Sequence, residues 1–304
     1  MERVASVGSA ESRPDAAAVL ELLKPITWFP PMWAFGCGVA SMPAPNGINW
    51  TLLISGILLT GPLVCGTSQA VNDWFDRHVD AINEPNRPIP SGRVPGQWGL
   101  FIAIVWSLVS LVVATALGTF GFLATCVGLA LAWAYSAPPI RLKLNGWWGN
   151  LAVGVCYEGL PWVTGAAVMA ATAMPGAEIL IVAFLYSIGA HGIMTLNDFK
   201  SIEGDRRMGI ASLPAQLGAP LAASVACVMM VVPQILVVVL LLSWNRPWHA
   251  AAVAAVTVAQ VILMKRLLQR PRELAPWYNA TGISLYVSGM LISAFALRAL
   301  AASS

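Results

Sequence analysis

The chain has 304 residues, of which 58% are hydrophobic and only 10% charged, with a formal net charge of +3. A soluble globular domain is nearer a quarter charged, so one or two water-soluble domains of this length are excluded. The apolar residues fall in long runs and not in alternation with polar ones, the pattern of helices surrounded by lipid.

Residues 1–26 are mixed polar and acidic, and include Arg3, Arg13, Pro14 and Lys24. They lack the basic, apolar and small-residue succession of a secretory signal, and are too acidic for an organellar transit peptide. A cytoplasmic N-terminal segment of a bacterial inner-membrane protein is the expectation. Crossing a bilayer takes roughly 20 apolar residues, and nine stretches suit that: 27–42, 51–71, 98–117, 120–135, 149–169, 179–196, 217–242, 248–264 and 280–300. The expected fold is all-α and polytopic, with a nine-helix membrane domain over residues 27–304. With the N-terminus in the cytoplasm, all but Arg246 and Arg298 of the 17 Lys and Arg fall in the N-terminal segment or after the second, fourth, sixth and eighth spans. That alternation is what an excess of basic residues on the cytoplasmic side produces. Cys37, Cys65, Cys126, Cys156 and Cys227 all lie in apolar stretches and form no Cys-x-x-Cys pair. They read as packing residues, with neither disulfides nor zinc expected.

Half of the 14 carboxylates crowd into two loops. The first follows span 2 and carries Asn72, Asp73, Asp76, Arg77, His78 and Asp80, continuing through Glu84 to Arg87. The second follows span 6 and carries Asn197, Asp198, Lys200, Ser201, Glu203, Asp205, Arg206 and Arg207. The repeated Asn-Asp pair, each time after the second helix of a four-helix block, suggests two related halves with the two clusters opposed across one cavity. Both stretches read as the cytoplasmic extension of a membrane helix, on which Asn72, Asp76 and Asp80 share a face. Stacked carboxylates repel unless a cation lies among them. Hard oxygen donors suit Mg²⁺, which keeps several waters and bridges to substrate phosphates. Arg77, Arg87, Arg141, Lys143 and Arg206 lie on the same side and suit diphosphate oxygens, arginine by paired donation. The bland alternative is a solvated loop that sets topology by charge, but basic residues alone would do that.

These residues resemble the UbiA superfamily of intramembrane prenyltransferases. Its motif NDxxDxxxD is complete as Asn72, Asp73, Asp76 and Asp80, and Arg87-Pro88-Ile89-Pro90-Ser91-Gly92 is similar to its RPLPSG segment. Tyr135-Ser136 with Arg141 and Lys143 is similar to its Tyr-Ser plus basic segment. The second motif departs from the common DxxxD pattern, since Ser201 stands where the first Asp is usual. That variant, with Gly146-Trp147-Trp148-Gly149-Asn150, Tyr157-Glu158-Gly159-Leu160-Pro161-Trp162 and Gly189-Ala190-His191-Gly192, resembles the chlorophyll and bacteriochlorophyll synthase branch, and its bacterial side more closely.

The resemblance implies a UbiA-type bundle around a lipid-accessible cavity facing the cytoplasm. It implies Mg²⁺ held by Asn72, Asp73, Asp76, Asp80, Asp198 and Asp205, with Asp76, Asp80 and Asp205 catalytic. The implied reaction joins geranylgeranyl or phytyl diphosphate to the propionate of bacteriochlorophyllide. Pigment-assembly proteins are candidate partners, and no nucleic acid is expected. A carboxylate acceptor is already ionised, so the lack of an obvious nucleophile or triad is expected. Glu158 is the one carboxylate well inside a span, where ionisable groups are costly and commonly functional. With Trp162 and His191 it is a candidate for the acceptor pocket; the alternatives are a structural hydrogen bond or an interface position for Glu158, an interfacial belt position for Trp162 and a hydrogen-bonded packing role for His191. His78 reads as solvated, and His249 as uninvolved. Trp28, Trp33, Trp98 and Trp248 read as interfacial belt residues. A related transferase acting on a quinone precursor or haem, a cation transporter, and a non-catalytic pigment carrier stay open on the residues alone.

Overall fold

The computed structural model describes residues 13–44, 47–170 and 173–302. Arg3 and the rest of residues 1–12 of the expected N-terminal segment lie outside the described residues. Within them the chain is helical, and its one strand-like pairing is an isolated bridge between Asn145 and Ala211.

Short polar residues start several helices. Asp15 caps α1 (Ala16–Leu22) by accepting from the Ala18 N–H at 2.7 Å, which satisfies one of the donors that a helix start leaves unpaired. The helix α2 (Phe29–Ala40) follows a turn of 3-10 helix and has prolines in its first turn. Next come α3 (Trp50–Asn83), α4 (Trp98–Thr115) and α5 (Gly118–Ser136). Asn145 caps α6 (Gly146–Met169) by accepting from the N–H groups of Trp147 and Trp148 at 2.9 and 3.3 Å. After α7 (Ala177–Asn197) come two short helices, α8 (Ile202–Met208) and α9 (Leu213–Leu217). The chain closes with α10 (Ala219–Ser243), α11 (Pro247–Leu267) and α12 (Pro271–Ala301), each with proline in its first turn, where the missing N–H costs nothing.

Eight of these helices, α3 to α7 and α10 to α12, are long and apolar enough to cross a membrane. The stretch expected as the first span is α2, only 12 residues long. At 1.5 Å per residue it covers about 18 Å, against about 30 Å of hydrocarbon. Pro30 and Pro31 fix where it starts and Pro43 follows its end, so apolar composition here exceeds helix length.

Two helices contain a wider π turn: Leu59–Cys65 in α3, with Pro62 inside it, and Val155–Gly159 in α6, just before Pro161. Proline has no N–H and its ring crowds the carbonyl of the previous turn, and a π turn absorbs that misfit without ending the helix. Helices α2 and α6 cross in contact. A methyl group on Gly38 would overlap the Trp162 carbonyl oxygen, and one on Gly165 the Phe35 carbonyl oxygen. Small residues at a membrane-helix crossing let backbones approach and gain dispersion contacts.

The largest core joins α2, α6, α7, α10, α11 and α12. At its centre Trp162, fully buried, stacks on Tyr186 with centroids 5.6 Å apart, and its Nε1 donates to Ser41 at 3.0 Å. Tyr286 donates to the Tyr186 carbonyl at 2.6 Å. Between α10 and α11 the buried Gln234 and Gln260 exchange amide hydrogen bonds of 2.9 and 3.3 Å. With both amides paired, two polar groups inside lipid become glue between helices.

Candidate active site

The 34 residues of α3 are more than a bilayer needs. Asn72 lies 22 residues beyond Trp50, about 33 Å along the axis, so Asn72, Asp76 and Asp80 ride on the part that emerges from about 30 Å of hydrocarbon. They form one wall of a cavity of about 850 Å³. The facing wall brings Asp198, at the end of α7, and Asp205, in α8. Arg141 and Lys143 reach in from the segment between α5 and α6, Arg87 from the loop after α3, and Lys200 from the turn after α7.

The carboxylates are held by named partners. Lys143 pairs with Asp76, Arg141 stands 3.6 Å from the same oxygen, and Asn72 donates to the other at 3.1 Å. Arg87 donates to Asp80 at 2.8 Å. Asn150 donates to Asp198 at 3.3 Å. Asp205, buried, accepts from Ser212 at 2.5 Å and from Ser201 at 2.9 Å. Burial pushes the Lys143 ammonium below the ordinary lysine range, against the opposing pull of Asp76. Burial also works against the Arg87 charge, but Glu84, Asp73 and Asp80 outweigh it and hold the guanidinium above its usual value.

Among the described residues no three His, Cys, Asp or Glu side chains converge as a ready cage for a metal. Mg²⁺ does not require one, because it is held through one or two carboxylates together with substrate phosphates and water. Asn72, Asp76 and Asp80 on one wall and Asp198 and Asp205 on the other are all oxygen donors, and they fit such an ion.

Several expected site residues lie elsewhere. Asp73, one residue on from Asn72, is turned about 100° around the helix. It is 1% exposed, off the cavity wall, and held by Lys24 at 2.6 Å and Arg87 at 3.4 Å. Arg77 folds onto its own helix, 4.1 Å from the Trp74 ring centroid, and donates to the Trp74 carbonyl at 2.6 Å. Arg206 is half exposed beside Glu203 and the Ala215 carbonyl, also off the wall. Glu158, Trp162 and His191 are buried in helix packing and do not line the cavity. The helices turn Trp162 and His191 into contacts with their neighbours, the stack of Trp162 on Tyr186 and the 5.6 Å approach of Trp147 to His191, while the buried Glu158 Oε2 has no hydrogen-bond partner among the described residues. His78 is exposed.

Residues absent from the expected set also line the cavity: Gln69, Tyr157, Asn150, Lys200, Ser201 and Ser212. Ser201 was legible as a hydroxyl one helical turn before Asp205. Lys24 and Ser212 carry no local signal, since only tertiary folding brings them to Asp73 and Asp205.

Residues 28–297 match the UbiA prenyltransferase family. The bacteriochlorophyll synthase 33 kDa chain of Rhodobacter capsulatus is 58% identical over 292 residues, covering 95% of this chain and 96% of that one. Chloroplastic chlorophyll synthase of Avena sativa is 38% identical, covering 91% and 75%. Among solved structures, a UbiA homologue from Archaeoglobus fulgidus bound to GPP and Mg²⁺ has a TM-score of 0.75 at 20% identity, covering 93% of this chain and 99% of that one.

Proposed function

The chain belongs to the UbiA prenyltransferase family, and on that premise we propose that it esterifies the propionate of bacteriochlorophyllide a with geranylgeranyl or phytyl diphosphate. The observation that carries the reading is the cavity itself, with oxygen donors on two opposed walls and cations between them. The likeness to bacteriochlorophyll synthase over 95% of the chain supports the choice of acceptor.

Arg87, Arg141, Lys143 and Lys200 bind the diphosphate oxygens, the arginines by paired donation. Asn72, Asp76 and Asp80, with Asp198 and Asp205 opposite, hold Mg²⁺, which supplies neutralisation of the charge on the departing diphosphate. The bond between C1 of the isoprenoid and the diphosphate oxygen breaks, with its electron pair leaving on the diphosphate. A propionate oxygen forms the new bond to C1. No base is needed, because the carboxylic acid is ionised near neutral pH. Below the carboxylates Val64, Gly128, Leu131, Ala132 and Val153 line the cavity. These apolar and small side chains keep water from the allylic cation.

The same reading takes residues 27–304 as one catalytic membrane domain, with α2 as a ninth, partial pass. It places the N-terminus and the cavity mouth on the cytoplasmic side of a photosynthetic bacterial membrane. The test supplies membranes containing the chain with bacteriochlorophyllide a, geranylgeranyl diphosphate and Mg²⁺, with EDTA as control. A Mg²⁺-dependent ester is the expected product. Its absence, with ester formed from chlorophyllide, a quinone precursor or haem, would replace the acceptor.

A further inference from the structure

The cavity continues past the carboxylates to a polar group that the chemistry above leaves unused. Gln69 lies three residues before Asn72 on α3, about 4.5 Å deeper along the axis, and lines the same cavity. Its Nε2 donates to the hydroxyl oxygen of Tyr157 at 3.0 Å, and the Cys65 sulfur lies 3.4 Å from that oxygen while its thiol donates to the Thr27 carbonyl, also at 3.4 Å. Cys65 closes the π turn of α3, and Tyr157 sits within the π turn of α6. The two irregular turns thus meet at one phenol on the cavity wall. Such turns persist where they serve a site.

The phenol oxygen accepts from Gln69, and its own O–H can donate to the Cys65 sulfur, a weak acceptor. A carboxylate entering the cavity is a far stronger acceptor than a thiol and draws that O–H away from sulfur. An isoprenoid tail presents no acceptor atom. The diphosphate is drawn the other way: Lys143 and Arg141 gather at Asp76, seven residues and about 10 Å along α3 from Gln69. The remaining anion in the reaction is the acceptor's carboxylate.

We propose that the Tyr157 hydroxyl, held by Gln69 and Cys65, hydrogen-bonds one oxygen of the acceptor carboxylate and so aims the other at C1. Tyr157 stays neutral and transfers no proton. Gln69 is a positioning residue that acts through it. The inference rests on the proposed function, of which it supplies the acceptor half.

Tyr157→Phe removes only the hydroxyl. It is expected to lower kcat/KM for bacteriochlorophyllide about 10- to 100-fold, the range for a hydrogen bond to a charged group. KM for geranylgeranyl diphosphate is expected to stay within about twofold of wild type. A second readout is the affinity gap between bacteriochlorophyllide and an analogue with propyl in place of propionate. Wild type prefers the carboxylate, and the preference shrinks in Tyr157→Phe. Gln69→Leu shrinks it less, and reads the same contrast should Tyr157→Phe fail to fold. Unchanged kcat/KM for the acceptor, an equal rise in KM for both substrates, or an unaltered gap would overturn the inference. If wild type forms no ester from bacteriochlorophyllide, the proposed acceptor falls and takes this inference with it. If wild type forms the ester and Tyr157→Phe matches it, this inference falls alone.

Discussion

Replacing Lys24 by methionine keeps the apolar stem of the side chain and removes the cation that Asp73 holds. The Lys24 Nζ stands 2.6 Å from Asp73 Oδ1, and the Asp73 side chain is 1% exposed. Its other oxygen has no hydrogen-bond partner among the described residues. Removing one partner of a buried ion pair costs about 3–5 kcal/mol. Arg87 remains 3.4 Å away, and Lys24 keeps 24% of its side chain exposed, which reduces the loss to about 2 kcal/mol. That is a factor of about 30 in the folded-to-unfolded ratio and about 5 °C in thermal midpoint. The assay is melting of purified protein in detergent, followed by the fluorescence of its 13 tryptophans. Adding Asp73→Asn to Lys24→Met removes the stranded charge and is expected to recover about half of the shift. A wild-type midpoint for Lys24→Met, or no recovery in the double variant, would refute the reasoning and return Asp73 to the metal site.

Asp76→Ala and Asp205→Ala are each expected to lower turnover about 10³-fold or more while melting close to wild type; measurable ester from either variant at wild-type rate would remove it from the metal set. Chelation by EDTA should stop ester formation, and added Mg²⁺ should restore it. Arg141→Ala should raise KM for the isoprenoid diphosphate about tenfold, whereas Arg77→Ala, whose guanidinium is spent on Trp74, should change it less than twofold. Gly165→Val should block the crossing of α2 and α6 and leave no monodisperse protein on size exclusion.

The helical fold and the two acidic motifs were legible because they rest on composition and local periodicity, which are properties of single segments. Asn72, Asp76 and Asp80 share a helix face by spacing alone, and that face does line the cavity. Hydropathy ends the second span at residue 71, and the acidic motif beyond it reads as a cytoplasmic extension of the same helix; α3 does run on to Asn83. A helix continues wherever its backbone stays hydrogen-bonded, and charge does not stop it once it has left the lipid. The misplaced residues share a different cause. Asp73 and Arg77 sit in the motif, and the direction each side chain takes depends on what lies beside α3. For Asp73 that neighbour is Lys24, and for Arg77 it is the Trp74 ring one turn back. Trp162 and Glu158 belong to a distinctive local sequence, but the packing of α2 and α7 around their segment is what turns them inward. Tyr157, next to Glu158, faces the cavity because the π turn shifts the helical register at that point.

The ion pairs across the cavity have a thermodynamic consequence. Lys143 and Arg141 are engaged with Asp76, and Arg87 with Asp80. A diphosphate that captured these cations by itself would strand two carboxylates in a partly dehydrated cleft. A divalent cation arriving by itself would have to evict ammonium and guanidinium groups that have nowhere better to go. Arriving together, the two make the exchange balanced: each basic side chain trades a carboxylate for a phosphoryl oxygen, and each released carboxylate meets the ion. On the proposed function the cavity is therefore expected to act as a cooperative receptor. Metal and isoprenoid diphosphate should each tighten the other's binding by one and the same factor, as reciprocity of linked equilibria demands.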